Sequence, residues 1–176
     1  MPIDLQPSTP VALVCAILAD SDDTLFDAKF DLDECLGPLF AASDTYDFDF
    51  TSYYEAEMGA GLRKQLVCFA ERIDPAELAA VKAQTMELER AMSQGGCRRA
   101  NIDPGLLSIE SLVLATTKYA GHRICIAPQL YAEVTLLYQR GRYRPLEWTY
   151  PDYQSDAVQC FLLNLRPWLL RVRGWD

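Results

Sequence analysis

Nine consecutive apolar residues, Val11 to Ala19, end abruptly at Asp20-Ser-Asp-Asp23. The run is too short to span a bilayer, and it lacks polar alternation, so it reads as a central strand. The Ser/Asp cluster that follows is a helix start. The rest of the chain must therefore supply the elements that cover this strand. Leu25, Lys29, Leu32 and Leu36 recur at helical spacing with Phe26 and Phe30 beside them, and Gly37-Pro38 ends that helix.

Further along, Asp44 to Phe50 alternates, with Tyr46, Phe48 and Phe50 on one face and Asp47 and Asp49 on the other, the pattern of a half-buried strand. Thr51 to Gly61 reads as an ordered connection or short helix, and Leu62 to Ile73 as another strand. Asp74-Pro-Ala-Glu77 is the strongest local signal: a capping Asp, a Pro at the first helical position and a Glu at capping-box spacing. Leu78, Val81, Thr85, Leu88 and Met92 mark the buried face of that helix, and Gly95-Gly96 closes it. A strand from Arg98 to Asp103 follows. The order strand, helix, strand, strand, helix, strand predicts a ferredoxin-like βαββαβ sandwich over residues 11–105, with both helices on one sheet face.

Beyond it the pattern predicts a helix from about Ser108 to Lys118, then strands Arg123–Ala127 and Leu130–Gln139. Gly141 turns the chain into a short third strand near Tyr143. A last helix starts near Ser155-Asp156 and is interrupted or kinked by Pro167. The expectation is one α+β domain over residues 1–176, with 106–176 a C-terminal elaboration of helix, β-hairpin and terminal helix. There is no internal repeat and no low-complexity linker.

Charge divides the chain in two. Residues 1–97 carry 6 Lys/Arg against 18 Asp/Glu, a balance of −12, and residues 98–176 carry 10 against 7, a balance of +3. The overall charge of −9 discourages nonspecific binding to a polyanion, so no nucleic-acid partner is expected. The basic second half suits one small anionic ligand. The N-terminus has no basic region before an apolar stretch, so neither a secretory signal nor a membrane partner is expected, and the cytoplasm is the default. Six cysteines at positions 15, 35, 68, 97, 125 and 160 form no Cys-x-x-Cys pair, and one histidine completes no common zinc pattern. Reduced structural thiols are the expectation.

Asp47 and Asp49 are candidate metal ligands for phosphoryl chemistry, although a hard cation needs more oxygens than two and a solvent-facing Asp-x-Asp is commonly surface. Tyr53 to Lys64 joins aromatics and acids to a Gly-rich turn and two bases, but it is not a Walker loop. Asn101-Ile-Asp-Pro-Gly105 reads as a strand end entering a turn, with Asp103 extended before Pro104 and Gly105 free to take positive φ. Thr116, Thr117 and Lys118 either close a helix, Lys118 complementing its C-terminus, or contact an anion together with His122 and Arg123. His122 is the only imidazole, so histidine acid–base chemistry rests on it alone, and a two-histidine phosphoesterase is excluded.

Glu133 shares a strand face with Tyr131 and Thr135 inside strongly apolar sequence. It is a candidate catalytic acid with Asp103 and His122, or a structural partner of Arg123 across the neighbouring strand. Trp148-Thr-Tyr150-Pro-Asp-Tyr153 either packs over a pocket mouth or anchors the last helix.

Taken together, the strings Asp47 to Gly59, Arg72-Ile-Asp-Pro75, Asn101 to Gly105, Leu114 to Lys118, His122-Arg123, Tyr131 to Leu136 and Trp148 to Tyr153 resemble domain-of-unknown-function family 4416. This is a prokaryotic family of small proteins, and the likeness covers nearly the whole chain. Some members carry the label GTP-binding protein, and the resemblance brings no catalytic residues. No phosphate loop is present, and Thr117-Lys118-Tyr119-Ala120 lacks the acid of a guanine-specificity string.

Three functional expectations follow. The leading one is binding of a small anionic ligand, a nucleotide or phosphorylated metabolite. Thr116, Thr117, Lys118, His122 and Arg123 would hold the anion, Thr135 would be a further contact, and Trp148 and Tyr150 would pack against it. The second is a metal-assisted phosphoryl-transfer or hydrolytic enzyme built on Asp47, Asp49, Asp103, Glu133 and His122. The third is an interaction module, with Trp168 and Trp175 at a partner surface and a homo-oligomer among its forms. The sequence names no cofactor.

Overall fold

The computed structural model describes residues 7–171. The chain begins with β1 (Val11–Ala19), α1 (Asp22–Leu36), β2 (Leu39–Ala42), β3 (Tyr46–Asp47), the one-turn α2 (Glu55–Met58), β4 (Arg63–Ile73), a 3-10 turn (Pro75–Glu77) and α3 (Leu78–Ala91). It continues with β5 (Ala100–Leu107), β6 (Ser111–Thr116), β7 (Ile124–Ala127), β8 (Leu130–Gln139), β9 (Arg142–Pro145), a second 3-10 turn (Pro151–Gln154) and α4 (Asp156–Arg171). The class is α+β. One nine-stranded sheet has the order β2-β4-β1-β5-β6-β8-β7, with β3 on β4 and β9 on β8.

The apolar opening run is explained by burial on both faces. Leu13, Cys15, Ile17 and Ala19 pack with Leu25, Ala28 and Leu32 of α1 and Val81 of α3. Ala12, Val14 and Ala16 face the other way, onto Val158, Phe161, Leu162, Leu165 and Leu169 of α4. Ser21 caps α1, accepting from the Thr24 amide at 3.2 Å. Asp74 accepts from the Ala76 amide at 2.9 Å, so the capping signal read at Asp74-Pro75 is realised, entering α3 through the 3-10 turn. Burial raises the Cys15 thiol far above its ordinary pKa and pushes Cys68 up to about 12, which suits inert core thiols, and all six cysteines are free.

Four expectations need correcting. The strand expected over Asp44–Phe50 contracts to Tyr46–Asp47, because β2 already occupies the β4 edge from Leu39 to Ala42. Burial alternation survives only in part: Phe48 is buried between exposed Asp47 and Asp49, but Phe50, expected on the same face, is exposed. The helix expected over Ser108–Lys118 is instead a strand, β6. Ser108 does not cap a helix. Its hydroxyl accepts from the amides of Glu110 and Ser111, both at 3.1 Å, and its amide donates to the Ser111 carbonyl at 2.9 Å, closing a hairpin. Pro167 does not interrupt the last helix, α4, which is continuous from Asp156 to Arg171 with the proline inside it.

The fourth is Asn101 to Gly105, which enters no turn. β5 continues through Pro104 and Gly105 to Leu107, and Gly105 does not use positive φ. Its glycine serves close approach instead: a Cβ there would stand 2.6 Å from Leu114 Cδ2 and 2.8 Å from the Val113 carbonyl.

Candidate functional site

The site exists because one seam of the sheet closes only halfway. β5 pairs with β1 over eight positions, Ala100 to Leu107, but with β6 only at Gly105, Leu106 and Leu107. Backbone groups of alternate residues face the same edge of a strand. The Ile102 amide and carbonyl face away from β1: the amide donates to Glu89 Oε1 at 2.8 Å, and the carbonyl accepts from Lys82 Nζ at 2.8 Å. By the same parity Pro104 stands where an N–H would have donated to β6, and proline has none. The ladder stops there. β6 stays paired with β8 as far as Thr116, so the two strands splay and α3 reaches into the opening.

That opening is a cavity of about 270 Å³. Phe48, Tyr54, Leu114, Tyr150 and Tyr153 are among its apolar and aromatic walls. Lys64, Lys82, Glu89, Asp152 and Tyr153 are buried and form its floor, while Thr117, Lys118 and Tyr150 are exposed at its mouth.

Charges on the floor are matched. Lys64 donates to Asp152 Oδ2 at 2.5 Å, and its ammonium lies 5.0 Å from the Phe48 ring centroid and 4.8 Å from that of Tyr153. Lys82 reaches Asp103 Oδ1 at 3.1 Å and Glu89 Oε1 at 3.7 Å. Asn101 donates to Asp103 Oδ2 at 2.9 Å, and Arg98 donates to Asn101 Oδ1 at 2.8 Å while holding Glu57 by two bonds. Burial works against ionising Asp103, but Lys82, Lys64 and the bond from Asn101 outweigh it and hold the carboxyl below its ordinary value. Glu89 goes the other way: its burial outweighs Lys82 and raises its pKa. The Tyr54 and Tyr153 hydroxyls take no hydrogen bond from a described residue, and burial raises the pKa of both phenols.

The mouth gathers much of what the sequence singled out. Thr116 ends β6 there and Thr117 and Lys118 follow it in the loop, so Lys118 complements no helix C-terminus. The Thr116 hydroxyl accepts from the Lys118 amide at 3.2 Å, and the Lys118 ammonium lies 4.1 Å from the Tyr53 ring centroid. Asp103, Arg123, Glu133 and Tyr150 line the same cavity. Glu133 is buried, and its Oε2 accepts from Arg123 Nε at 2.7 Å and pairs with His122 Nε2 at 3.0 Å. The pairing of Glu133 with Arg123 read from the sequence is present, with His122 added.

Other singled-out residues lie outside the cavity lining. His122 stacks on Trp148, with ring centroids 4.5 Å apart and planes at 9°, and Trp148 donates to the Val134 carbonyl at 2.8 Å. Thr135 is buried, and its carbonyl accepts from the Thr149 hydroxyl at 2.5 Å, tying the Trp148–Tyr153 segment to β8. Asp47 is exposed and pairs with Arg63 near the start of β4, and Asp49 is exposed beyond β3. Among the described residues no three His, Cys, Asp or Glu side chains are arranged to hold a metal ion. Trp168 stacks on Phe40 at 5.1 Å while α4 buries its apolar face in the chain's own core; Trp175 lies outside the described residues.

Sequence reading passed over Lys82 and Glu89, and met Tyr54 and Lys64 only within the Tyr53–Lys64 string, where a turn into a strand with solvated bases competed with a phosphate cradle. A signal existed for two of them. Lys82 and Glu89 are seven residues apart, two helical turns, and share the buried face of α3 with Leu78, Val81 and Thr85. A charged pair on an apolar stripe must find partners inside, and here the partners are an open strand edge and Asp103.

The family model described as Domain of unknown function (DUF4416) matches residues 9–168, and the chain belongs to that family. No curated protein and no solved structure matches it.

Proposed function

We propose that this member of the DUF4416 family binds a small anionic ligand, of the phosphorylated-metabolite or nucleotide class, in the cavity between β5 and β6. One observation carries the reading. Of the five cations lining the cavity, Lys64, Lys82, Arg98 and Arg123 each ion-pair with a carboxylate, and Lys118 at the mouth has no such partner among the described residues. Beside it stand the Thr116 and Thr117 hydroxyls and the edge of the Arg123 guanidinium, donors suited to phosphate or carboxylate oxygens. The cavity lies at the small end of ligand pockets, which start at about 300 Å³, so a metabolite suits it better than a polymer.

The proposal extends to architecture and compartment. We read residues 11–105 as a ferredoxin-like half, supported by the order β2-β4-β1-β5 with α1 and α3 on one face. Residues 106–176 extend it within one domain, supported by the continuous sheet. Six free thiols support a cytoplasmic setting. No described helix is long and apolar enough to cross a membrane.

The test is thermal denaturation with inorganic phosphate, pyrophosphate, sugar phosphates and nucleotides at millimolar levels. At least one should raise the Tm, and Lys118→Ala should weaken that ligand about tenfold, the loss of one charge-assisted contact. No shift with any of them sinks the proposal.

A further inference from the structure

We infer that the ligand is a sugar-bearing monophosphate: one anionic group held at the mouth and an uncharged, hydroxyl-rich body on the floor. This rests on the anion-binding reading above and narrows it. At the mouth, Lys118 and Arg123 face the single carboxylate Glu133, leaving an excess of one positive charge. On the floor, Lys64, Lys82 and Arg98 face the lining acids Asp152, Asp103 and Glu89, three against three, and Arg98 is further engaged by Glu57 beside the cavity. A second or third phosphate pushed inward meets three acids whose cations are already engaged. A pyrophosphate or triphosphate chain is therefore disfavoured, and one anion at the mouth is not.

What the floor does offer is hydrogen bonding without net charge. Asp103 is 30% exposed at its side chain and accepts one bond on each oxygen, leaving each a further lone pair. Tyr153 is 2% exposed and lines the cavity, yet its hydroxyl takes no hydrogen bond from a described residue; the Tyr54 hydroxyl beside it is the same. A hydroxyl that reaches a cavity wall without a protein partner is free to bond a ligand or water there. Sugar hydroxyls both donate and accept, so they suit a floor of one carboxylate and two phenols. The faces of Phe48, Tyr54 and Tyr150 provide flat apolar wall for the C–H faces of a ring.

Calorimetric titration of the whole chain tests this with matched probes: ribose, ribose 5-phosphate, adenosine, adenosine monophosphate, adenosine triphosphate, inorganic phosphate and pyrophosphate. At least one of the two monophosphates should bind ten or more times tighter than inorganic phosphate and than its own phosphate-free parent. Adenosine triphosphate should bind no tighter than the monophosphate. Tyr153→Phe, which removes one hydroxyl and keeps the ring, should weaken the organic monophosphate about three- to tenfold and leave inorganic phosphate unchanged. Lys118→Ala should weaken both.

The inference is overturned if the triphosphate or pyrophosphate binds more than tenfold tighter than its single-phosphate counterpart. It is also overturned if inorganic phosphate matches the monophosphates, or if Tyr153→Phe weakens both equally. In those cases the broader anion reading survives. If no anion binds, or Lys118→Ala changes nothing, the broader reading fails and takes this one with it.

Discussion

The two edges of β5 meet opposite fates. Toward β1 the strand is laddered over its whole length, and the residues on that seam are almost wholly apolar and buried. Toward β6 the ladder lasts three residues and then gives way to Lys82, Glu89, Asp103 and a cavity. A closed ladder satisfies the backbone by itself, so side chains there need only pack. An open edge leaves backbone groups that side chains must satisfy, and once charged side chains enter the interior, each needs a counter-charge. Polar character spreads from one missing strand pair. The site follows from an incomplete seam.

The largest expected effect lies on the open side. Asp152 connects the 3-10 turn before α4 to Lys64 on β4, with the carboxylate 1% and the ammonium 9% exposed. Asp152→Ala leaves that ammonium buried without its counter-ion and should cost about 3–5 kcal/mol in urea or guanidinium unfolding. Replacing both partners with apolar residues of similar size should cost much less. A loss below about 1 kcal/mol for the single variant would break the comparison, because the open side would then not depend on its charge pairs.

On the closed part of the same seam the control is steric. Gly105→Ala places a methyl 2.6 Å from Leu114 Cδ2 and 2.8 Å from the Val113 carbonyl, and the second of these is backbone. Overpacking of this kind costs about 1–3 kcal/mol. Equilibrium unfolding should show that loss. A neutral result would mean that β6 is free to retreat and that the three-residue ladder is not what fixes the cavity's inner end.

Sequence foresaw the closed regions better than the open one, and the reason is physical. A strand buried on both faces, such as Val11–Ala19, leaves a continuous apolar run, and the cap at Asp74-Pro75 is set by local chemistry alone. The residues from Ser108 to Lys118 carry no such local decision. Ser108 can cap a helix or close a hairpin with the same hydroxyl, and pairing with β5 and β8 made the choice. Thr116, Thr117, Lys118, Arg123, Glu133, Asp103 and Tyr150 were legible as candidates because they cluster in polar strings, and they line the cavity. Lys82 and Glu89 were not, because each looks like an ordinary charged residue until the fold places it indoors, and Lys64 stood out only as one of two bases after a Gly-rich turn. Pro104 was visible as a constraint, but its consequence depended on which edge its missing N–H would have faced.

The smallest expected effect separates two acids that share Lys82. Asp103 has its pKa lowered in the folded state, so its contribution to stability is full above the ordinary aspartate value and is lost as pH falls through the folded value. Glu89 has its pKa raised, so folding takes up a proton there, and stability gains as pH falls through that higher value toward the ordinary glutamate one. The two slopes oppose each other on adjacent stretches of the acid limb. Stability measured against pH by denaturant titration should show Asp103→Asn flattening the loss below the ordinary aspartate value. Glu89→Gln should remove the gain at higher pH and make stability decline from the outset of acidification. If both variants change the profile in the same direction, the two acids are not shifted in opposite senses, and burial does not outweigh Lys82 at Glu89.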